Sequence, residues 1–352
     1  VVMLFVGGFF LAAAATKYRL DTNLARWLIR PFGRRPAAVL LGLMLITAVF
    51  SMFMSNTATT AMMLTLLIPV LGSLPAGDPG RTAFALAIPF AANLGGIATP
   101  IGTPPNAIAL KYLAGANAIG FGQWMAFALP YTAFMLFLLW LLLWRLYPSN
   151  AKAIDLEIRG SFLKNGRALT VYITTAATVL LWLSDALHGM NAYIVALVPV
   201  AVFSLTGVIG AQDLRRMSWD VLWLVAGGIA LGQGLVQSGL SSRLVHALPF
   251  EALPPYVLVL ILTLTALLMS SLISNTAMAN LLLPIVAALG TQLPALVQVG
   301  GAKGLILLTT LACSLAMALP VSTPPNALAH ATGMVSSRQM ARVGVGIGLA
   351  GL

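Results

Sequence analysis

The sequence predicts an all-α polytopic membrane protein built from two inverted repeats, with re-entrant helical hairpins and discontinuous transmembrane helices. Three observations predict it. The 352 residues are 60% hydrophobic and 8% charged, with a mean hydropathy of +0.97, whereas a soluble domain carries about a quarter charged residues. Two polar motifs inside apolar segments each occur twice, in the same order. The Lys and Arg residues fall between apolar runs in a way that gives the two copies opposite orientations.

Apolar runs near the ~20 residues that cross a hydrocarbon core occupy 1–16, 37–54, 120–144, 168–184, 190–210, 217–236 and 253–273. No soluble domain remains once they are removed. The chain opens at Val1 and closes at Leu352 inside apolar runs, without an initiator Met. A fragment or a trimmed chain is expected from that. The first run lacks a basic flank and a cleavage site, so it reads as a spanning helix rather than a signal peptide. One cysteine, Cys313, rules out an internal disulfide and reads as a small packing residue. The net charge of +11 is spread between apolar runs rather than gathered in one patch. That is the pattern of positive cytoplasmic loops, not of a nucleic-acid surface.

The duplication is legible at an offset of 219–220 residues. Gly7-Gly8 matches Gly227-Gly228, and Leu20 matches Leu240. Ser55-Asn56-Thr57-Ala58 matches Ser274-Asn275-Thr276-Ala277. Pro100-Ile101-Gly102-Thr103-Pro104-Pro105-Asn106-Ala107 matches Pro320-Val321-Ser322-Thr323-Pro324-Pro325-Asn326-Ala327, and Ala109 matches Ala329. Three parts follow. Residues 1–147 form the first repeat, with a hairpin at 37–74 and a broken helix at 82–115. Residues 148–216 hold an interfacial connector and two linking transmembrane helices. Residues 217–352 form the second repeat, with a hairpin at 253–294 and a broken helix at 300–335.

Basic residues set the topology. If 1–16 ends in the cytoplasm at Lys17 and both hairpins are re-entrant, 16 of the 19 basic residues lie inside and only Lys111, Arg243 and Lys303 lie outside. The opening helix then runs inward and its counterpart at 217–237 runs outward, so the repeats are inverted. Inverted repeats place a site near the midplane, between broken helices.

The motifs carry the chemistry. In Thr103-Pro104-Pro105-Asn106, proline cannot continue a helix from before but is tolerated at the first position of a new one, and Thr before it suits an N-cap. The run reads as helix, break near Ile97–Thr103, helix. Gly95, Gly96 and Gly102 help the chain unwind, and Ser322 stands where Gly102 does. Ser55-Asn56-Thr57 sits at a hairpin tip, where short polar side chains cap the returning helix. Broken backbone at membrane depth is tolerated only where protein, water or ligand satisfies it. Four helix N-termini with free N–H donors therefore face the midplane and suit a carboxylate or sulfate. Asn56, Thr57, Asn275 and Thr276 add donors. Carbonyls before each break, with Ser, Thr and Asn oxygens, suit Na⁺.

The eight acidic residues, Asp21, Asp78, Asp155, Glu157, Asp185, Asp213, Asp220 and Glu251, all fall in loops or at helix ends. A buried carboxylate relay for protons is not expected. Neutral donors fit an anion whose charge is balanced by co-bound cations. His330 is expected to pack or cap, Asp185 and His188 to be solvated in a short loop, and the Gly-Gly pairs to let helices pack closely. The basic stretch 145–167 reads as an interfacial amphipathic connector.

With its paired Ser-Asn-Thr motifs, each followed by a Thr-Pro-Pro-Asn break, the whole chain resembles the divalent anion/sodium symporter family, the bacterial INDY-type dicarboxylate carriers and their animal relatives. The resemblance implies an elevator-type transporter, a homodimer in the cell's inner (plasma) membrane, with no enzymatic activity. It implies sodium-coupled symport of a C4-dicarboxylate such as succinate. It places Asn56, Thr57, Asn275 and Thr276 on the substrate, with Thr103, Pro104, Thr323 and Pro324 nearby. It implies two Na⁺ sites, one from Ser51, Ser55, Asn56 and Gly102 and one from Ser270, Ser274, Asn275 and Ser322. Family members carry further N-terminal scaffold helices, and the resemblance implies that these are missing from the sequence as it stands. Rival readings are a sulfate or tricarboxylate symporter, a sodium-independent exchanger and an anion channel. A membrane enzyme would need a nucleophile, base or metal cluster that the apolar segments do not contain.

Overall fold

The protein is described by a computed structural model covering residues 2–113, 115–154, 161–240, 243 and 253–352. Asp155, Glu157 and Arg159 of the connector, and Glu251, lie outside the described residues. Every regular element among the described residues is helical. Six of these helices are long and apolar enough to cross a membrane.

The opening helix, Val2–Lys17, bends by 74° into the surface helix Leu20–Ile29 and its extension Arg30–Phe32. Next comes the first hairpin. Pro36 starts its entering arm, Pro36–Phe53, where a missing N–H costs nothing. Only Met54 and Ser55 separate that arm from the returning arm, Asn56–Ser73. The second hairpin repeats the plan, with Pro255–Leu272 and Asn275–Gln292 separated by Ile273 and Ser274. In both tips the serine before the Asn turns its hydroxyl back to the returning helix. Ser274 Oγ accepts from the Ala277 N–H at 3.2 Å and Ser55 Oγ from Ala58 at 3.5 Å.

Each hairpin packs on a broken helix. The first breaks between Gly80–Ile97 and Pro104–Tyr112, the second between Gly301–Ser314 and Pro324–Ala331. Gly80–Ile97 is the centre of the molecule, and all residues from Ala83 to Ile97 are buried. Gly95 lets it lie directly against the backbone of Ala48 in the hairpin arm. The long helix Phe121–Leu146 closes the first repeat, Gly166–Leu183 follows it, and Trp219–Gln237 opens the second.

Three expectations need correction. The run 190–210 is not one long span: its helices Ala192–Val195 and Leu197–Leu205, with Ala196 between them, extend over 14 residues, about 21 Å of rise. The chain leaves the helix at Thr206-Gly207, where Gly207 takes φ 65°. Asp185 is not merely solvated. Its Oδ2 accepts the Phe121 N–H at 2.6 Å, capping the long helix that starts there. His188 is likewise engaged, with Nε2 2.7 Å from the Leu181 carbonyl. His330 lies 3.1 Å from the Ser337 hydroxyl and links two consecutive helices at their ends. Of the two Gly-Gly pairs, Gly7 lies against Ala196 and Gly228 against Asn280, while Gly8 and Gly227 have open space where a Cβ would stand.

Candidate substrate site

The two hairpin tips and the two breaks converge on one cavity of about 210 Å³. All four helix-capping residues line it: Ser55, Thr103, Ser274 and Thr323. So do Asn56, Thr57, Asn275, Thr276, Pro104 and Pro324, together with Gly102 and Ser322. Every residue expected on the substrate is therefore at this cavity. Phe5, Phe9, Phe53 and Met54 supply an apolar wall. The volume is below the ~300–1,000 Å³ of pockets for drug-sized ligands, and suits a small ion. A second cavity, of about 560 Å³, shares Phe9, Ser55 and Thr57 with the first and extends to Lys17, Asp213 and Arg216.

The breaks are held open by asparagine. Asn106 Nδ2 donates to the carbonyls of Gly96, Ile97 and Thr99 at 3.1, 3.1 and 2.8 Å. Asn326 Nδ2 donates to Met317 and Leu319 at 2.7 and 3.1 Å. A helix end leaves orphan carbonyls, and here the motif's own Asn, placed on the next helix, satisfies them. Trp124 Nε1 also bonds the Ile97 carbonyl at 3.1 Å. The N-terminal sides differ. Thr323 Oγ1 accepts the Asn326 N–H at 3.3 Å, as a cap should. Thr103 makes no such side-chain bond, because the Asn106 N–H turns to the Thr103 carbonyl instead, at 3.2 Å.

Below each tip three oxygens meet. Ser51 Oγ lies 2.6 Å from Asn56 Oδ1 and 2.7 Å from the Ala92 carbonyl. In the second repeat Ser270 Oγ lies 2.9 Å from Asn275 Oδ1 and 3.0 Å from the Cys313 carbonyl. A hydroxyl has one proton and can serve one of its two neighbours. The remaining oxygen keeps a lone pair that a turned amide or a cation can take. Both sets are neutral, hard and buried at the serine, which is the donor chemistry of Na⁺. A Cβ at Gly96 would come within 2.6 Å of Asn56 Oδ1 and 2.8 Å of the Gly102 carbonyl. Glycine there keeps this cluster accessible and puts Gly102 beside Asn56. The Ser55 and Ser274 hydroxyls face their own helices, and the Ser322 hydroxyl donates to the Ser271 carbonyl at 2.8 Å. Each of those hydroxyls keeps a lone pair for a cation, and the Ser55 and Ser274 carbonyls already accept the Thr59 and Met278 N–H groups at 2.9 Å.

Several residues escaped the sequence reading. Asn93, buried in the central helix, lines the cavity and bonds across to the second repeat. A lone Asn in an apolar helix is itself a signal of such a role. Asp220, at the start of Trp219–Gln237, also lines the cavity. It is at a helix end, as expected, but that end faces the site. The Ala92 and Cys313 carbonyls could not be foreseen, because no side chain marks them.

Residues 1–302 match the family of citrate transporters. The chain belongs to that family. Its likeness to the divalent anion/sodium symporters holds among relatives too. It is 30% identical to a sodium-dependent dicarboxylate transporter of Staphylococcus saprophyticus, over 99% of this chain and 74% of that protein. It is 33% identical to an uncharacterized transporter of Schizosaccharomyces pombe, over 92% of this chain but 38% of that longer protein. A low-affinity phosphate transporter of Saccharomyces cerevisiae is 33% identical over 76% of this chain and 31% of its own length. Among solved structures, that of the Alcanivorax borkumensis YdaH transporter has a TM-score of 0.62, covering 99% of this chain and 82% of that one at 15% identity. As a member of the citrate transporter family, the chain is a membrane transporter and not an enzyme.

Proposed function

We propose that this chain is the core of a sodium-coupled symporter for a divalent organic anion, a C4-dicarboxylate such as succinate. The observation that carries the reading is the convergence of four helix N-termini with Asn56, Thr57, Asn275 and Thr276 on one small cavity. Such ends favour negative charge through partial positive charge, which is what the two broken helices supply, since Pro104-Pro105 and Pro324-Pro325 carry no N–H. Two oxygen clusters, on Ser51–Asn56 and Ser270–Asn275, flank the same tips and suit two Na⁺ ions. Cations so placed offset the charge of a dianion, whereas the buried acids Asp21 and Asp78 do not line the cavity and Asp220, which does, adds negative charge there. The name of the staphylococcal relative agrees with this pairing of ions.

In this reading the two inverted repeats contribute one hairpin and one broken helix each to a transport unit. That unit moves as an elevator against a scaffold that includes Val2–Lys17 and Trp219–Gln237, in a homodimer of the plasma membrane. The positive-inside split of 16 basic residues to three supports the sidedness. A second reading, transport of phosphate or another tetrahedral oxyanion, is favoured by the yeast relative's name. The test is uptake into proteoliposomes of radiolabelled succinate, citrate, sulfate and phosphate, with an inward gradient of sodium or of choline. Succinate uptake that requires sodium is expected. Uptake indifferent to sodium would leave an exchanger, and uptake of phosphate alone would replace the substrate.

A further inference from the structure

Hydrogen-bond directions run through the second break in one sense only. The Asn326 amide is fixed first. Its nitrogen sits on the carbonyls of Met317 and Leu319, which can only accept. Its Oδ1 must therefore face the other way, where Asn93 lies at 3.1 Å. Asn93 in turn must present its NH₂ group to that oxygen. The second N–H of the same group reaches Thr323 Oγ1, also at 3.1 Å. Thr323 Oγ1 already accepts the Asn326 backbone N–H at 3.3 Å. Both lone pairs of that hydroxyl are then occupied. Its proton has to point elsewhere, and it meets no acceptor among the described residues. Thr323 is 5% exposed and lines the cavity.

We infer that Asn93 is a positioning residue that makes the Thr323 hydroxyl a fixed donor, aimed at an oxyanion group of the transported anion. The inference rests on the substrate reading above and names a determinant of it. The first repeat lacks the device. Asn106 is pinned by three carbonyls in the same manner, but its Oδ1 is buried without a partner. Nothing fixes the Thr103 hydroxyl, which has no side-chain bond at its cap. The cavity is polarised as a result. The Thr323 end demands an acceptor, while the Thr103 end takes a donor or an acceptor by rotating one hydroxyl. A ligand of this class carries one fully ionised oxyanion group and tolerates variation at its other end.

The test is a double-mutant cycle on Asn93→Ala and Thr323→Val, read as KM and kcat of sodium-driven uptake, with Asn93→Asp as a third variant. Thr323→Val is expected to raise KM about tenfold or more, the size of one hydrogen bond to a charged group, with little change in kcat. Asn93→Ala raises KM by less, because the freed hydroxyl can still donate part of the time. In the Thr323→Val background, Asn93→Ala adds nothing. Asn93→Asp offers only acceptors, draws the hydroxyl proton away and raises KM more than Asn93→Ala does. Its excess shrinks in the Thr323→Val background, which separates donor loss from charge repulsion. Additive effects of Asn93→Ala and Thr323→Val, or a loss in kcat alone, would overturn the inference. Wild-type protein that moves none of the four anions above would instead overturn the substrate reading, so the two failures are distinct.

Discussion

Thr99 and Ser322 occupy different positions in the two breaks, yet each donates its hydroxyl to the matching carbonyl of its own hairpin, Met52 in one repeat and Ser271 in the other. At the position matching Thr99 the second repeat has Leu319, and at the position matching Ser322 the first repeat has Gly102. The repeats have kept the bond and moved its donor. The departure at Ser322, which looks like a change in the motif, is a compensation for the loss of a hydroxyl three residues earlier.

That exchange is testable by swapping. Ser322→Ala leaves the Ser271 carbonyl without its donor, and Thr99→Val does the same to Met52, at a cost of about 1–3 kcal/mol each. The melting temperature should fall by a few degrees in each variant. Adding Leu319→Thr to Ser322→Ala should recover most of the loss. Adding Gly102→Ser to Thr99→Val should not, because a Cβ there would lie 2.5 Å from the Gly96 carbonyl oxygen. Equal recovery in both directions would show that the two breaks are not built differently.

Asn106 and Asn326 carry a second prediction. Asn106→Ala removes the side-chain donor from the carbonyls of Gly96, Ile97 and Thr99. Each carbonyl left dry costs on the order of 1–3 kcal/mol. Water that enters the space offsets part of it. We expect both Asn106→Ala and Asn326→Ala to lower the melting temperature more than Asn56→Ala, which removes a tip residue that is half-buried. Thermal unfolding in detergent, followed by tryptophan fluorescence, reads the order directly.

The helices and their breaks were legible because proline, glycine and short polar residues act locally. Pro104 and Pro324 start helices wherever the chain goes, and Ser55 and Ser274 cap whatever follows them. The helices of the two hairpins accordingly start at Pro36, Asn56, Pro255 and Asn275. Contacts between distant segments were not legible. Nothing in the sequence pairs Asn93 with Asn326, 233 positions away. Backbone carbonyls such as those of Ala92 and Cys313 leave no mark in a sequence at all. Asp220 stands at a helix end, as its place in the sequence implies, but that end lines the cavity, and no local pattern distinguishes it from a helix end in solvent.

The sodium reading predicts a specific defect in the two inner serines. Ser51→Ala and Ser270→Ala each remove one oxygen from a three-oxygen cluster while leaving the substrate-facing Asn in place. Each should raise the sodium concentration for half-maximal uptake several-fold and leave the maximal rate at saturating sodium nearly unchanged. Direct loss of uptake at all sodium concentrations, with sodium dependence unaltered, would remove these serines from the cation sites.

Gly228 and Asn280 give a prediction about helix contact. Asn280 Nδ2 reaches the Leu224 carbonyl at 3.3 Å, and a Cβ on Gly228 would overlap the Asn280 amide. Gly228→Ala should therefore push Trp219–Gln237 away from the second hairpin and lower the melting temperature. The double variant Gly228→Ala with Asn280→Ala should regain stability relative to Gly228→Ala alone, since the overlapping amide is gone. Additive losses in the double variant would show that the glycine is not needed for this approach.

The last prediction concerns acid. Asp213, in the connector helix Ala211–Arg215, accepts from Lys17 Nζ at 2.6 Å and from the Gly210 N–H at 2.8 Å. Burial pushes its pKa up. The Lys17 and Gly210 hydrogen bonds and the charges of Lys17 and Arg216 outweigh that and hold it below the ordinary 3.8. A carboxylate with a depressed folded pKa adds stability that is fully present above its unfolded pKa. That stability is lost as pH falls through the folded value. Wild-type melting temperature should thus be insensitive to this pair at neutral pH and decline below about pH 4. Asp213→Asn should lower stability slightly at pH 7, by under about 1 kcal/mol for a pair this open to solvent. Its acid decline should be shallower than that of the wild type. Parallel acid limbs for the two proteins would show that the tie between the opening helix and the connector does not depend on this charge.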